Sequence, residues 1–480
     1  MKKSILNSIC VAAFVLSAAS CNDFLDVQPK GTLPEDVQFK TAQGYYDAMY
    51  GVYSRMAGPS LYGANLSYGF VDKIGQLFGK LNENDVDTEI LKYDYQNGKV
   101  RAIIDNIWNS QYQEISFVNN VIKNVESTPL HDKNLQLVRG EAYGLRAFLH
   151  FDLVRLFCPD YRTNPKAEYG VPYAEAFDLA NKKVYTLQGT YERILQDLDK
   201  AESLLANDTV VAPIVEEGSD YENGRARQFN LYAVYATKAR VYYTMGNNEK
   251  AAEYAKKVID AKQNFSLTAS TDFDKVRRFP ADKEMIFGLN NRTLSQNIYQ
   301  TFVGAVVSSG NFTEARKDLE NLYETKTFTS SNVDGRYSAF YRKERSSFVF
   351  LRFVANDTEE RNNVLKGLAL VRLPEMYYIL AESLYDTDPK AAKAALDEVR
   401  KSRGLQPVDD AKFQSKDAFL QEMLNERMRE MPGEGQVFYA LKHYNKPFKG
   451  LNGRKVIEPS TARFVLPRPE RELEFGNKQQ

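Results

Sequence analysis

The sequence predicts a mostly α-helical protein, a scaffold of paired helices repeated along the chain and interrupted by two long irregular insertions. Three observations carry that expectation. Apolar residues recur at three- to four-residue steps through most of the chain, which puts them on one face of a helix. Capping and turn residues punctuate these stripes so that successive helices form hairpins. Residues 58–100 and 264–367, in contrast, are rich in Gly, Asn, Ser and aromatic residues and lack a sustained stripe, so they read as loops.

The first element is a leader. Lys2 and Lys3 precede an apolar run from Ile9 to Ala19, broken only by Ser17, and the small residues Ala18, Ala19 and Ser20 stand directly before Cys21. A basic start, a short apolar stretch and a small-residue cleavage point describe a secretory signal over residues 1–20. The run falls short of the roughly 20 residues that span a bilayer. The expectation is that Cys21 becomes the first mature residue and carries acyl chains, each buried methylene adding about 0.8 kcal/mol of membrane affinity. Residues 21–480 then form a single domain. Lipid on Cys21 leaves Cys158 alone, so no internal disulfide can form and stability must come from a core.

The scaffold follows in order. Thr41 is placed to cap a helix with Tyr45, Met49 and Val52 inward. From Arg101 to Glu126, Ile104, Trp108, Ile115, Val118, Ile122 and Val125 form a stripe, which puts the single tryptophan in the core. Leu145, Phe148, Leu149, Leu153 and Leu156 form the next, ended by Cys158-Pro159. Thr190 reads as the cap of a helix carrying Ile194, Leu198 and Leu205. In FNLYAVYATKARVYYTMGNNEKAAEYAKKVID, two helices flank a Gly-Asn-Asn turn at 246–248. Ala239, Tyr242, Gly246 and Ala251 fall where a tetratricopeptide repeat places small, aromatic, turn and small residues. A related pair spans Pro374 to Gly404, with Asp388 as N-cap before Pro389. A last helix is expected from Lys416 to Met431.

Catalytic signatures are missing from the sequence: it has no G-x-S-x-G, P-loop or H-E-x-x-H. His131, His150 and His443 lack acidic or cysteine neighbours at metal-ligand spacing, so neither a metal nor a cofactor is expected. His150 and Cys158 read as packed residues. Lys+Arg and Asp+Glu balance at 63 each, which argues against a nucleic-acid partner.

Taken in order, the landmarks resemble the SusD/RagB-like outer-membrane lipoproteins. CNDFLDVQPKG resembles that family's start, and GEAYGLRAFLHFDLVRLF its R-G-E-A…L-R-A-F…D-L-V-R-L-F helix. Asp334 and Arg336 match a D-x-R element, and RLPEMYYILAE at 372–382 matches R-L-x-E-M-Y…A-E. Glu426, Arg427, Glu430, Glu434 and Gly435 match the E-R…E…E-G stretch, and FVLPRPEREL the closing L-P-x-P-x-x-E-L. Ala440 stands where the family has Asp, and His443-Tyr444 where it has Arg-Trp.

The resemblance implies a tetratricopeptide-like scaffold bearing a glycan-binding surface without catalysis. It also implies a lipid-anchored position at the outer membrane, facing the exterior, and a SusC-like TonB-dependent transporter as partner. Sugar rings offer an apolar face and a rim of hydroxyls, which aromatic rings stack on and polar side chains bind. In the insertions, Tyr68, Tyr93, Tyr95 and Tyr299 are the stacking candidates, and Asp72, Asn84 and Asn297 the rim candidates. Peptide capture on the same scaffold, a surface glycoside hydrolase using two converging carboxylates and a periplasmic helical adaptor are the competing readings.

Overall fold

The computed structural model describes residues 35–79, 85–211, 221–272, 283–304, 312–344, 347–354, 367–451, 453 and 456–475. The leader 1–20, Cys21 and Asn84 lie outside the described residues.

The scaffold is the expected series of helices. Thr41 caps α1 (Ala42–Met56) by accepting from the Gly44 amide, and Tyr45, Met49 and Val52 are buried. Asn97 caps α2 (Gly98–Ser127) through the Lys99 amide, so the helix starts before the stripe does. In α3 (Leu135–Phe157) nearly every residue is buried, because α1, α2 and α4 (Leu187–Leu204) all pack on it. The cap of α4 is Thr186, not Thr190: Thr186 accepts from the Gly189 amide, and Thr190 is buried one turn in, its hydroxyl bonded to the Thr186 carbonyl at 2.9 Å. Thr190 was the poorer cap because a capping residue has extended backbone and sits outside the apolar face.

The tetratricopeptide-like hairpin is α5 (Leu231–Met245) and α6 (Asn248–Ile259). Gly246, at φ 77°, lets the Asn247 amide reach back to the Tyr242 carbonyl at 2.9 Å, a left-handed helix end that a side chain would strain. Among the described residues, four strands follow within and after the second insertion: β1 (Met285–Asn290), β2 (Tyr341–Glu344), β3 (Ser347–Phe350) and β4 (Gly367–Arg372). β1 pairs antiparallel with β4, from Asn290 opposite Gly367 to Met285 opposite Arg372. That ladder closes the insertion at its base, so the scaffold resumes with α7 (Leu373–Leu384) packed on α6. Asp388 caps α8 (Pro389–Ser402) through the Ala391 amide. The expected last helix is α9 (Lys416–Glu430), but further helices follow it: α10 (Val437–Tyr444) packs on it beyond the break at Pro432 to Gly435, and two short ones lie at Thr461–Phe464 and Glu470–Phe475.

From α2 through α8 each scaffold helix packs on the one before it in sequence, which makes a continuous stack. The buried charged residues of α3 have partners: Glu141 with Arg225 at 2.5 Å, Arg146 with Asp197 at 2.6 Å, and Arg155 with Asp152. Trp108 is in the core, its ring edge-on to Phe157. Among the described residues no helix is long and apolar enough to cross a membrane.

Candidate functional site

The second insertion is held to the scaffold by buried charge. Arg336, beyond the N-cap Asp334 of a short helix, pairs with Asp334 at 2.7 Å, Glu426 at 2.6 Å and Glu430 at 2.9 Å. Arg372 at the end of β4 reaches Glu430 at 2.8 Å, Glu284 at 2.9 Å and Glu434 at 2.7 Å. Arg403 after α8 joins Glu284 and Glu430, each at 2.9 Å. Burial alone would push the Glu430 carboxyl up; Arg403, Arg372 and Arg336 outweigh it and hold the group well below the usual carboxylate range. Burial likewise opposes ionisation of Glu426, but Arg336 and Arg429 hold it at about 2. The acids and arginines of the sequence landmarks therefore make a clamp between insertion and scaffold.

The two insertions meet through aromatic rings. Phe302, in a π-helical turn at Tyr299–Gly304, lies 4.7 Å from Phe78, 6.1 Å from Tyr68 and 5.1 Å from Phe350. Tyr68 is buried in this cluster, and burial pushes its hydroxyl up to about 12. It anchors the loop from below and presents no face to solvent. Asp72 is also inward: its carboxylate accepts from the Gly433 amide at 2.6 Å and the Gly435 amide at 3.1 Å. Burial raises its pKa well above the usual value, against the pull of those two amides. Asp72 thus fixes the Pro432–Gly435 turn to the first insertion, and both of its oxygens are occupied.

Tyr93 and Tyr95 form a second group. Tyr95 is buried and donates to the Arg463 carbonyl at 2.7 Å. Tyr93, half-buried at φ 62°, donates to the Ile74 carbonyl at 2.9 Å, with Arg463 5.9 Å above its ring. Tyr299 differs: the residue is 46% exposed. Asn297, partly exposed, donates to Thr293 Oγ1 at 3.3 Å. Leu294 and Ile298 bury the other face of that turn, and Asn291 ties it to α1 through the Ala57 carbonyl at 3.0 Å. Of the candidates, then, Asn297 and Tyr299 share one exposed turn, Tyr93 is half open beside Arg463, and Tyr68, Asp72 and Tyr95 support the loops from within. Arg463 and Asn291 escaped the sequence reading. The signal for Arg463 was a basic residue directly before the closing FVLPRPEREL stretch; Asn291 had none.

His150 lies inside α3. Its Nδ1 donates to the Arg146 carbonyl at 2.8 Å and its Nε2 accepts from the Ala174 amide at 3.0 Å, the pattern of a neutral ring. Burial lowers its pKa to about 3. Burial pushes the Cys158 thiol up, the opposite of an activated nucleophile. Among the described residues no three His, Cys, Asp or Glu side chains are grouped to hold a metal ion.

The same architecture recurs in known proteins. A family model described as "Starch-binding associating with outer membrane" matches residues 23–243, and one described as "SusD family" matches residues 210–464. SusD-like protein P2 of Formosa agariphila is 28% identical over 273 residues, covering 56% of this chain. The matched stretch spans 49% of that relative, about half its length. SusD-like protein P38 of the same organism is 24% identical over 426 residues, 76% of this chain and 78% of that one. Among solved structures, a SusD superfamily protein from Bacteroides thetaiotaomicron superposes with a TM-score of 0.69 at 22% identity, covering 90% of this chain and 98% of the other. A laminarin binding SusD-like protein superposes at 0.63 with 19% identity, covering 92% of this chain and 100% of its own. At these identities the structures establish a shared fold.

Proposed function

The chain belongs to the SusD family, and from that premise we propose that it is a non-catalytic, lipid-anchored surface protein that captures oligosaccharides and hands them to a SusC-like TonB-dependent transporter. The observation that carries this reading is the exposed turn bearing Asn297 and Tyr299, held on a clamped insertion of a family scaffold. An exposed tyrosine over a rigid base offers a sugar ring its apolar face, and a neighbouring amide offers the hydroxyls both a donor and an acceptor. Placing such a turn on a loop fixed to helices is how binding surfaces are kept ready without ordering cost. Tyr93 with Arg463 is a second contact area. The family's description as starch-binding and the laminarin binding neighbour make glucans the first ligands to test.

The test is calorimetric titration of the protein from Asn22 onward with starch and laminarin oligosaccharides and with a peptide panel, alongside an assay for reducing ends. Glycan binding without turnover is the expected outcome. Peptide binding with no glycan binding replaces this function with peptide capture, and turnover abolished by one carboxylate-to-amide change replaces it with hydrolysis. Co-purification of a large barrel protein from the outer membrane tests the transporter, and the mass of the mature N-terminal peptide tests acylation of Cys21.

A further inference from the structure

Away from the insertions, α10 closes a small cavity against α3, α5 and α7, lined among others by Arg155, Arg240, Glu375, Ala440 and Lys442. It measures about 40 Å³, room for a few water molecules at the roughly 10–15 Å³ that one requires. Two of the lining arginines keep a buried donor for which no acceptor is in reach among the described residues, Arg155 Nε and Arg240 Nη1. Their other nitrogens are used. Arg155 bonds Asp152 and, at 3.2 Å, Gln436 Oε1; Arg240 bonds both oxygens of Glu375 and the Leu370 carbonyl. Among the described residues Lys442, itself buried, donates only to the Arg155 carbonyl at 2.6 Å and to the Cys158 carbonyl.

The surrounding charges do not supply the missing acceptor. Asp152, Glu375 and Glu382 are committed to Arg155, Arg240 and Arg427. Asp160 faces His443 Nδ1 at 3.3 Å and Arg162 at 3.7 Å. Asp160 is the carboxylate that acts on Lys442, but it makes no hydrogen bond to it and is shared with His443 and Arg162; a buried N–H with no acceptor is destabilising. On the same wall Ala440 offers only a methyl group, at the position where the family stretch carries Asp, while His443 replaces its Arg.

We propose that this cavity binds a small monovalent anion of chloride's size, held by Arg155, Arg240 and Lys442. It supplies the acceptor and the negative charge that Ala440 lacks, and it bonds α10 to α3 and α5. The site is separate from the loops that bear Tyr299, so glycan binding neither requires it nor reports on it.

Crystals of the full chain soaked in sodium bromide test the site directly. An anomalous difference peak in contact with Arg155 Nε and Arg240 Nη1 is expected; water density alone at high bromide overturns the proposal. In solution, exchanging gluconate for chloride at constant ionic strength should raise the melting temperature saturably, by about 1–3 °C. Ala440→Asp, which puts a carboxylate on the same wall, should melt above wild type in gluconate and lose the chloride response. Equal melting of wild type in both salts, or a chloride response undiminished in Ala440→Asp, overturns the assignment. If that variant does not fold, the bromide map decides alone.

Discussion

Glu430 accepts from Arg336, Arg372 and Arg403 inside the protein, and an amide in its place would leave three buried guanidinium groups short of one negative charge. Glu430→Gln should cost about 3–5 kcal/mol, read as a lowered urea midpoint. Tyr299 has the opposite character. Because it is exposed and no ring among the described residues packs on it, Tyr299→Ala should leave stability within about 0.5 kcal/mol. It should weaken glucan binding by about tenfold, the equivalent of one stacked ring, in the calorimetric titration. His150 gives a dependence on pH. Its folded pKa of about 3 lies below the ordinary value of 6.5, so the unfolded chain binds the extra proton and stability falls as pH drops from 6.5 towards 3. Burial holds Glu114 up at about 7, which gives a slope of the opposite sign over 4.5–7. The informative quantity is therefore a difference: His150→Phe, whatever its own stability, should lose less of it than wild type between pH 7 and 5, in urea midpoints across that range.

At the scale of elements, the caps decide where helices begin, and the α4 cap offers a clean test. Thr186→Ala removes the acceptor of the Gly189 amide at an exposed position and should cost about 1 kcal/mol, measurable by urea unfolding. The helices themselves were legible because period-3.6 stripes are a local signal: Ile104, Trp108 and Ile115 face inward as their spacing requires. The hairpin at Gly246 was legible because its left-handed backbone needs glycine. The strands were not, since β1 and β4 are short apolar runs buried on both faces, without the alternation that distinguishes a strand. Helix α10 was hidden behind Pro432, Gly433 and Gly435, which read as the end of helical structure. The candidate site was legible only in part for a related reason. Sequence marks Tyr68, Tyr95 and Tyr299 alike as loop aromatics, and only packing across two insertions separates the rings that fill the interior from the one left outside. Asp72 shows the same limit, because its partners Gly433 and Gly435 lie more than three hundred residues away.

For the molecule as a whole, the clamp joins parts that sequence keeps far apart. Arg403 follows α8, Glu284 precedes β1 and Glu430 ends α9, yet all three meet in one buried network. Local contacts between successive helices would let an α-helical stack unfold from either end, as repeat arrays do. Long-range charge pairs oppose this, because releasing the C-terminal helices exposes the arginines of the insertion at the same time. The wild-type protein is therefore expected to unfold in one transition despite its length. Trp108, the only tryptophan, lies in α2 and reports the N-terminal helices, whereas far-ultraviolet circular dichroism reports the whole scaffold, so the two midpoints in urea should coincide. Arg403→Met removes the contacts to both Glu284 and Glu430 without touching the N-terminal helices. It should move the dichroism transition to lower urea and leave the Trp108 transition behind. If both probes instead shift together by the same amount, the helical stack is cooperative without the clamp, and the buried arginines serve only to seat the insertion.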